Sequence, residues 1–173
     1  ELRASAWEAL NEQANLQVSL VAGTDPASRF VALIAAAVSA KRANIAAING
    51  QEPDDATALG WDYRGSAQHR YLAANGAVIG WIDGDELYLE AEAAMACVKH
   101  LAREQGNELA FTGKRIQKSL QEAGLLKSSE SERNTVRKTL DGRRRYVLHM
   151  SAESVLGIDS STQAQRIEID VPF

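Results

Sequence analysis

Residues 112–149 read TGKRIQKSLQEAGLLKSSESERNTVRKTLDGRRRYVLH, and this stretch decides both the expected fold and the expected function. It holds ten Lys or Arg and four Asp or Glu, a net +6, inside a chain whose formal net charge is −4. Everything outside it therefore sums to −10. A charge asymmetry of that size points to a local polyanion site rather than to a generally basic protein.

The first half predicts a short amphipathic helix. Thr112 supplies an N-cap hydroxyl, and Gly124 sits where helices often end in a left-handed residue. Ile116, Leu120 and Ala123 form one narrow apolar stripe at roughly 100° per residue. Lys114, Lys118 and Gln121 cluster on the opposite side, with Arg115 and Glu122 on one flank and Gln117 on the other. Such a helix can lie in a major groove, where long donors reach base edges and phosphates. It can equally be a solvated surface helix, and Glu122 suits a groove poorly.

The second half predicts a hairpin. Asp141-Gly142 is a favoured pair for a two-residue type I′ turn, because both central positions need φ > 0. That turn sets Leu140 opposite Arg143, Thr139 opposite Arg144, Lys138 opposite Arg145, Arg137 opposite Tyr146 and Val136 opposite Val147. Val136 and Val147 can anchor the base on a core, with Tyr146 and Leu148 on the other face. Arg137, Lys138, Arg143, Arg144 and Arg145 surround the tip. Lys138 facing Arg145 is destabilising without a counter-ion, which a phosphate backbone would supply. Cations on an edge hairpin also guard against sheet-to-sheet aggregation, although five exceed what that role needs. With Thr112 and Arg133 added, the candidate contact set is Thr112, Lys114, Arg115, Lys118, Gln121, Arg133, Arg137, Lys138, Arg143, Arg144 and Arg145.

Composition bounds the rest. A chain of 173 residues, 45% hydrophobic, can bury one core or two small cooperating ones. No apolar run approaches membrane-spanning length, so no membrane partner is expected. Cys97 is the single cysteine, which leaves no internal disulfide and no multi-cysteine zinc site, and suggests a reducing, cytoplasmic setting. No signal-peptide pattern follows Glu1, and a start at Glu suggests a piece of a larger protein.

Along the chain, residues 2–14 look helical. Asp25-Pro26 starts a second helix expected to reach about Ala43, with Phe30, Leu33, Ile34, Ala37 and Val38 as its stripe. Residues 49–58 read as a loop, 59–63 as a possible strand and 64–70 as loop. Residues 78–82 and 86–89 form a strand pair around Asp83-Gly84. A helix over 90–105 carries Ala91, Ala94, Met95, Val98, Leu101 and Ala102, and Gly106 stops it. A short helix follows the basic hairpin, then a polar linker and a last strand over 166–173. The predicted class is α+β: a winged helix-turn-helix with extra N-terminal helices and an additional β-hairpin. The expected division is 1–75, a helical accessory segment with a loop; 76–158, the winged-helix domain; and 159–173, a linker and strand.

Other chemistry finds little support. Counting from Asp83, Leu87 and Ala94 occupy positions where an EF-hand needs oxygen ligands. Thr112-Gly113-Lys114 lacks the earlier glycine of a P-loop, with Glu108 in its place, and Arg115 stands where Ser or Thr belongs. His69, His100 and His149 show no ligand spacing, and no nucleophile elbow or triad is apparent. No catalytic group, metal or cofactor is expected. Trp61 is the one tryptophan kept open for base stacking.

Three segments, IGWIDGDELYL at 79–89, AGLL at 123–126 and TVRKTLDGRRRYVLH at 135–149, together resemble the C-terminal winged-helix region of primase–helicase-type ATPases of phages, plasmids and mobile elements. That resemblance implies a non-catalytic DNA-binding accessory domain of a replication enzyme, with the basic helix and wing as contact surfaces and duplex or forked DNA as ligand. Eight contacts, half of them engaged, would give a log–log salt slope of roughly −3.6. The alternative is an interaction or oligomerisation module docking onto a parent ATPase or primase through the Ala-rich stripe at 33–40 and the acidic turn at 83–86. A stand-alone transcription regulator is the third reading.

Overall fold

The computed structural model describes residues 25–106, 109, 111–128 and 134–158. The helix expected over 2–14, the linker and strand expected after 158, and Arg133 lie outside the described residues.

Asp25 accepts from the Ser28 amide at 2.9 Å and Pro26 occupies the first turn, so α1 starts where the sequence places it and spans Pro26–Ser39. It ends four residues short of the expected Ala43. Lys41 takes a left-handed conformation (φ 55°), which a helix cannot continue through, and the chain turns into β1, Ala43–Ala47. The segment expected to be helix and loop, with one possible strand over 59–63, thus contains three strands: β1, β2 (Trp61–Ser66), which overlaps that possible strand, and β3 (His69–Ala74). Next come β4 (Ala77–Asp83), β5 (Glu86–Glu90), α2 (Ala91–Glu104), α3 (Gly113–Glu122), β6 (Val136–Leu140), β7 (Arg143–Ser151) and α4 (Ala152–Leu156).

Five strands form one mixed sheet in the order β1-β4-β5-β7-β6, parallel between β1 and β4 and antiparallel elsewhere. The architecture is α+β. Residues 43–47 hydrogen-bond directly to residues 77–82, so the sheet runs across the boundary expected at 75/76. The hairpin β6–β7 has the register predicted from Asp141-Gly142, pair for pair from Val136–Val147 to Leu140–Arg143.

The helices cover one face of this sheet. Phe30, Leu33, Ile34, Ala37 and Val38 of α1 meet Ala94, Val98, Leu101 and Ala102 of α2, and Ile116 and Leu120 of α3, over Ile45, Leu87, Leu89, Leu148 and Met150. Leu and Ile side chains buried this fully each contribute roughly 2 kcal/mol. A β-bulge between the β1 and β4 registers places Ile79 and Ile82 in this core while Trp81 points to the opposite face. There Ala46, Trp81, Tyr88, Leu140 and Val147, one from each strand, form a second buried cluster.

Candidate nucleic-acid interface

The helix α3 is built as its sequence directs. The Thr112 hydroxyl accepts from the Arg115 amide at 3.4 Å, Ile116 and Leu120 are buried, and Gly124 adopts φ 68° beyond the last turn. Ala123, the third residue of the predicted stripe, is exposed instead; Leu125 and Leu126 pack against the core in its place.

The strand β7 extends past its partner β5: their pairing ends at Glu90–Val147, where the chain turns into α2. Arg143, Arg144, Arg145 and Tyr146 continue beyond that point with β6 on one side only. The space left beside them is a cleft of about 760 Å³, closed on its far side by the first turns of α2 and α3. Glu90, Glu92, Lys114, Gln117, Asn134, Thr135, Arg143, Arg144, Arg145 and Tyr146 line it. The amino-terminal turn of the basic helix and the outgoing strand of the basic hairpin therefore face one opening.

The predicted contact residues divide around this geometry. Lys114, Arg143 and Arg144 line the cleft and form no ion pair with any carboxylate among the described residues. Arg145 also lines it, but its guanidinium donates to Glu90 at 3.0 Å and lies 4.7 Å over the Trp81 ring. Lys138 sits 4.7 Å over Tyr88 and donates to its hydroxyl at 3.2 Å. Aromatic faces and one carboxylate thus serve as the counter-charges that the Lys138–Arg145 opposition requires. Arg137 donates to the Tyr146 hydroxyl at 2.6 Å, and Arg115 lies 5.6 Å from the centroid of Phe111. Lys118 pairs with Glu122 at 3.7 Å, and with Gln121 it stays exposed outside the cleft lining. The hairpin cations also alternate between sheet faces: Arg137 and Arg144 share the helix side with Leu148, while Lys138, Arg143 and Arg145 share the other with Val147. Sequence reading missed the cleft positions Gln117, Asn134, Thr135 and Tyr146. Gln117 lies one turn from Lys114 on the helix wheel, so an i, i+3 reading from Lys114 would have found it.

An adjoining knot fixes the segment after α3. Lys127 donates to Asp85 at 2.9 Å and to Glu86 at 2.8 Å, and both carboxyls are held below their usual range, chiefly by these bonds. The same two bonds, Glu86 first, raise the Lys127 ammonium above its ordinary value. His149 stacks on Tyr88 with ring centroids 4.8 Å apart, bonds Glu86 through Nε2, and places Nδ1 2.6 Å from the Ser128 hydroxyl. Asp85 also accepts from the Ser151 hydroxyl at 3.0 Å. The acidic turn at 83–86, expected to offer a partner surface, spends Asp85 and Glu86 on these internal contacts. The stripe at 33–40 likewise has Leu33, Ile34, Ala37 and Val38 buried against the chain's own core. Burial alone pushes the Cys97 thiol up.

Among the described residues no group of three or more His, Cys, Asp or Glu is placed to hold a metal ion, and no helix is long and apolar enough to cross a membrane. No family model, curated protein or solved structure matches the chain.

Proposed function

We propose that this chain is a non-catalytic DNA-binding module of winged-helix type, holding phosphates between α3 and β7. One observation carries the reading: Lys114, Arg143 and Arg144, from two elements brought together only by folding, line a single cleft without carboxylate partners among the described residues. A polyanion is the ligand that such an arrangement favours electrostatically. Connectivity supports the winged-helix reading. A helix pair, α2 and α3, precedes the hairpin β6–β7, whose second strand pairs with the strand before the helices. Glu90 and Glu92 in the lining disfavour phosphates on that side and orient the backbone toward β7. The wider assignment, an accessory domain of a mobile-element primase or helicase, rests on the resemblance of 79–89, 123–126 and 135–149. The alternative, docking onto parent ATPase domains or self-association, would have to use surface other than Leu33, Ile34, Ala37 and Val38, which are internal.

Fluorescence polarisation with duplex, forked and single-stranded probes at two salt concentrations tests the reading. The three cleft cations, at about 0.9 released counter-ion each, contribute about −2.7 to the log–log slope for duplex. A complete lack of binding, or binding indifferent to salt, would overturn it.

A further inference from the structure

The ribbon β2–β3 stands apart from the rest of the fold. Its six-residue strands pair with each other and with no strand of the main sheet. Residues 63–71 are exposed along both strands, with Tyr63 at 52% and Tyr71 at 61%. A two-stranded ribbon with neither face covered is marginal in water, so a surface that it docks against would stabilise it.

Its root is nevertheless firm. The Trp61 indole donates to the Ile45 carbonyl at 2.8 Å, the Asn75 amide to the Gly60 carbonyl at 3.2 Å, and the buried Asn44 side chain to the Asn75 carbonyl at 2.9 Å. The tip is therefore presented from a fixed base.

Its chemistry selects the occupant. From residue 63 to residue 76 the chain carries Arg64, Arg70 and His69 and no carboxylate. Asp62 at the foot is already paired with Lys41 at 2.9 Å. Pairing register puts Tyr63 and Arg70 on one face, where the guanidinium lies 4.8 Å over the ring, and Arg64, His69 and Tyr71 on the other. A protein-docking ribbon would concentrate apolar groups on one face. Here each face offers one arginine and one tyrosine, which suits an environment with phosphates on both sides. The major groove of a duplex is such an environment and admits a two-stranded β-ribbon.

We propose that β2–β3 is a second DNA contact, inserted in a duplex groove outside the α3–β7 cleft. The proposal rests on the DNA-binding reading above, and its test separates the two. Duplex binding is titrated over a salt series for the wild type, Arg64→Gln/Arg70→Gln, Arg64→Lys/Arg70→Lys and Arg143→Glu/Arg144→Glu, with circular dichroism confirming that each is folded. The glutamine pair is expected to weaken binding about tenfold and to make the slope shallower by about 1.8, two contacts at about 0.9 each. The lysine pair should retain the wild-type slope. Wild-type binding in the glutamine pair, with Arg143→Glu/Arg144→Glu impaired, would overturn the ribbon contact and leave the cleft standing. Equal losses in the glutamine and lysine pairs would also overturn it, since charge would not be the cause. A wild type that binds no duplex would remove both.

Discussion

The backbone amide of Asp141 donates to the carbonyl of Ile48 at 2.8 Å. Ile48 directly follows β1 and Asp141 directly follows β6, the two edge strands of the sheet. Because β1 and β6 run in opposite directions, this bond joins diagonally opposite corners, as a strongly twisted and coiled sheet allows. The second cluster lies within the concave side so formed, and the tip of the basic hairpin is tethered rather than free.

Leu140 anchors that closure from β6 and is fully buried. Leu140→Ala should cost about 2–5 kcal/mol, the range for deleting a buried leucine side chain. Urea unfolding of the variant gives the value; a change below about 0.5 kcal/mol, the surface-substitution range, would show that the concave cluster is not a packed core.

Gly76 enters β4 at φ 68°, and a Cβ there would run into the Arg42 carbonyl oxygen and carbon. Both the backbone conformation and the contact oppose a side chain, so Gly76→Ala should destabilise by about 1–3 kcal/mol. Gly84, also at positive φ but with open space around the added carbon, is the control. Its alanine variant should lose about 1 kcal/mol, from the backbone term alone. Comparing the two thermal unfolding midpoints separates close packing from backbone conformation.

The Lys127 knot makes part of the stability acid-sensitive. Asp85 and Glu86 are depressed in the folded state, so their contribution is present above the ordinary carboxylate range and lost as pH falls through the folded values. Lys127→Met removes the leading cause of both depressions. The wild-type advantage over this variant should be clear at pH 7 and shrink steadily below about pH 4. Urea midpoints across that interval check it; a difference that stays constant with pH would contradict the assignment.

Hairpin cations inside and outside the cleft should also respond differently to loss of charge. Lys138→Met removes a cation that lies over Tyr88 outside the cleft lining, whereas Arg144→Met removes one that lines the cleft. The first should leave the salt slope of DNA binding unchanged; the second should reduce it by about 0.9. Equal slopes would mean that hairpin position does not decide phosphate contact.

How much of this was legible in the sequence depends on how local each signal was. Asp141-Gly142 determines a register by turn geometry alone, and Thr112 and Gly124 bound α3 through caps, so those features were readable from neighbouring residues. The ribbon β2–β3 was not. Its turn, Ala67-Gln68, has no positive φ and no Gly, Asn or Asp to mark it, and its strands bury too little to alternate clearly. The edge strand β1 was hidden for a different reason: ANIAA continues the alanine-rich composition of α1, and only tertiary pairing with β4 makes it a strand. The candidate site was half legible. Charge located the helix and hairpin, but which cations stay unpaired is set by Glu90, Trp81 and Tyr88, which lie 50 to 64 residues from the arginine and lysine they engage.

Under the proposed function a local site, rather than overall charge, binds DNA. Duplex affinity should be compared between Arg143→Glu/Arg144→Glu and Lys99→Glu/Arg103→Glu, two pairs that change net charge equally, the latter exposed on α2 outside the cleft lining. A loss of at least about tenfold is expected for the first pair, two phosphate contacts reversed, and of less than about twofold for the second. Equal losses in both pairs, or no loss in the first, would contradict it.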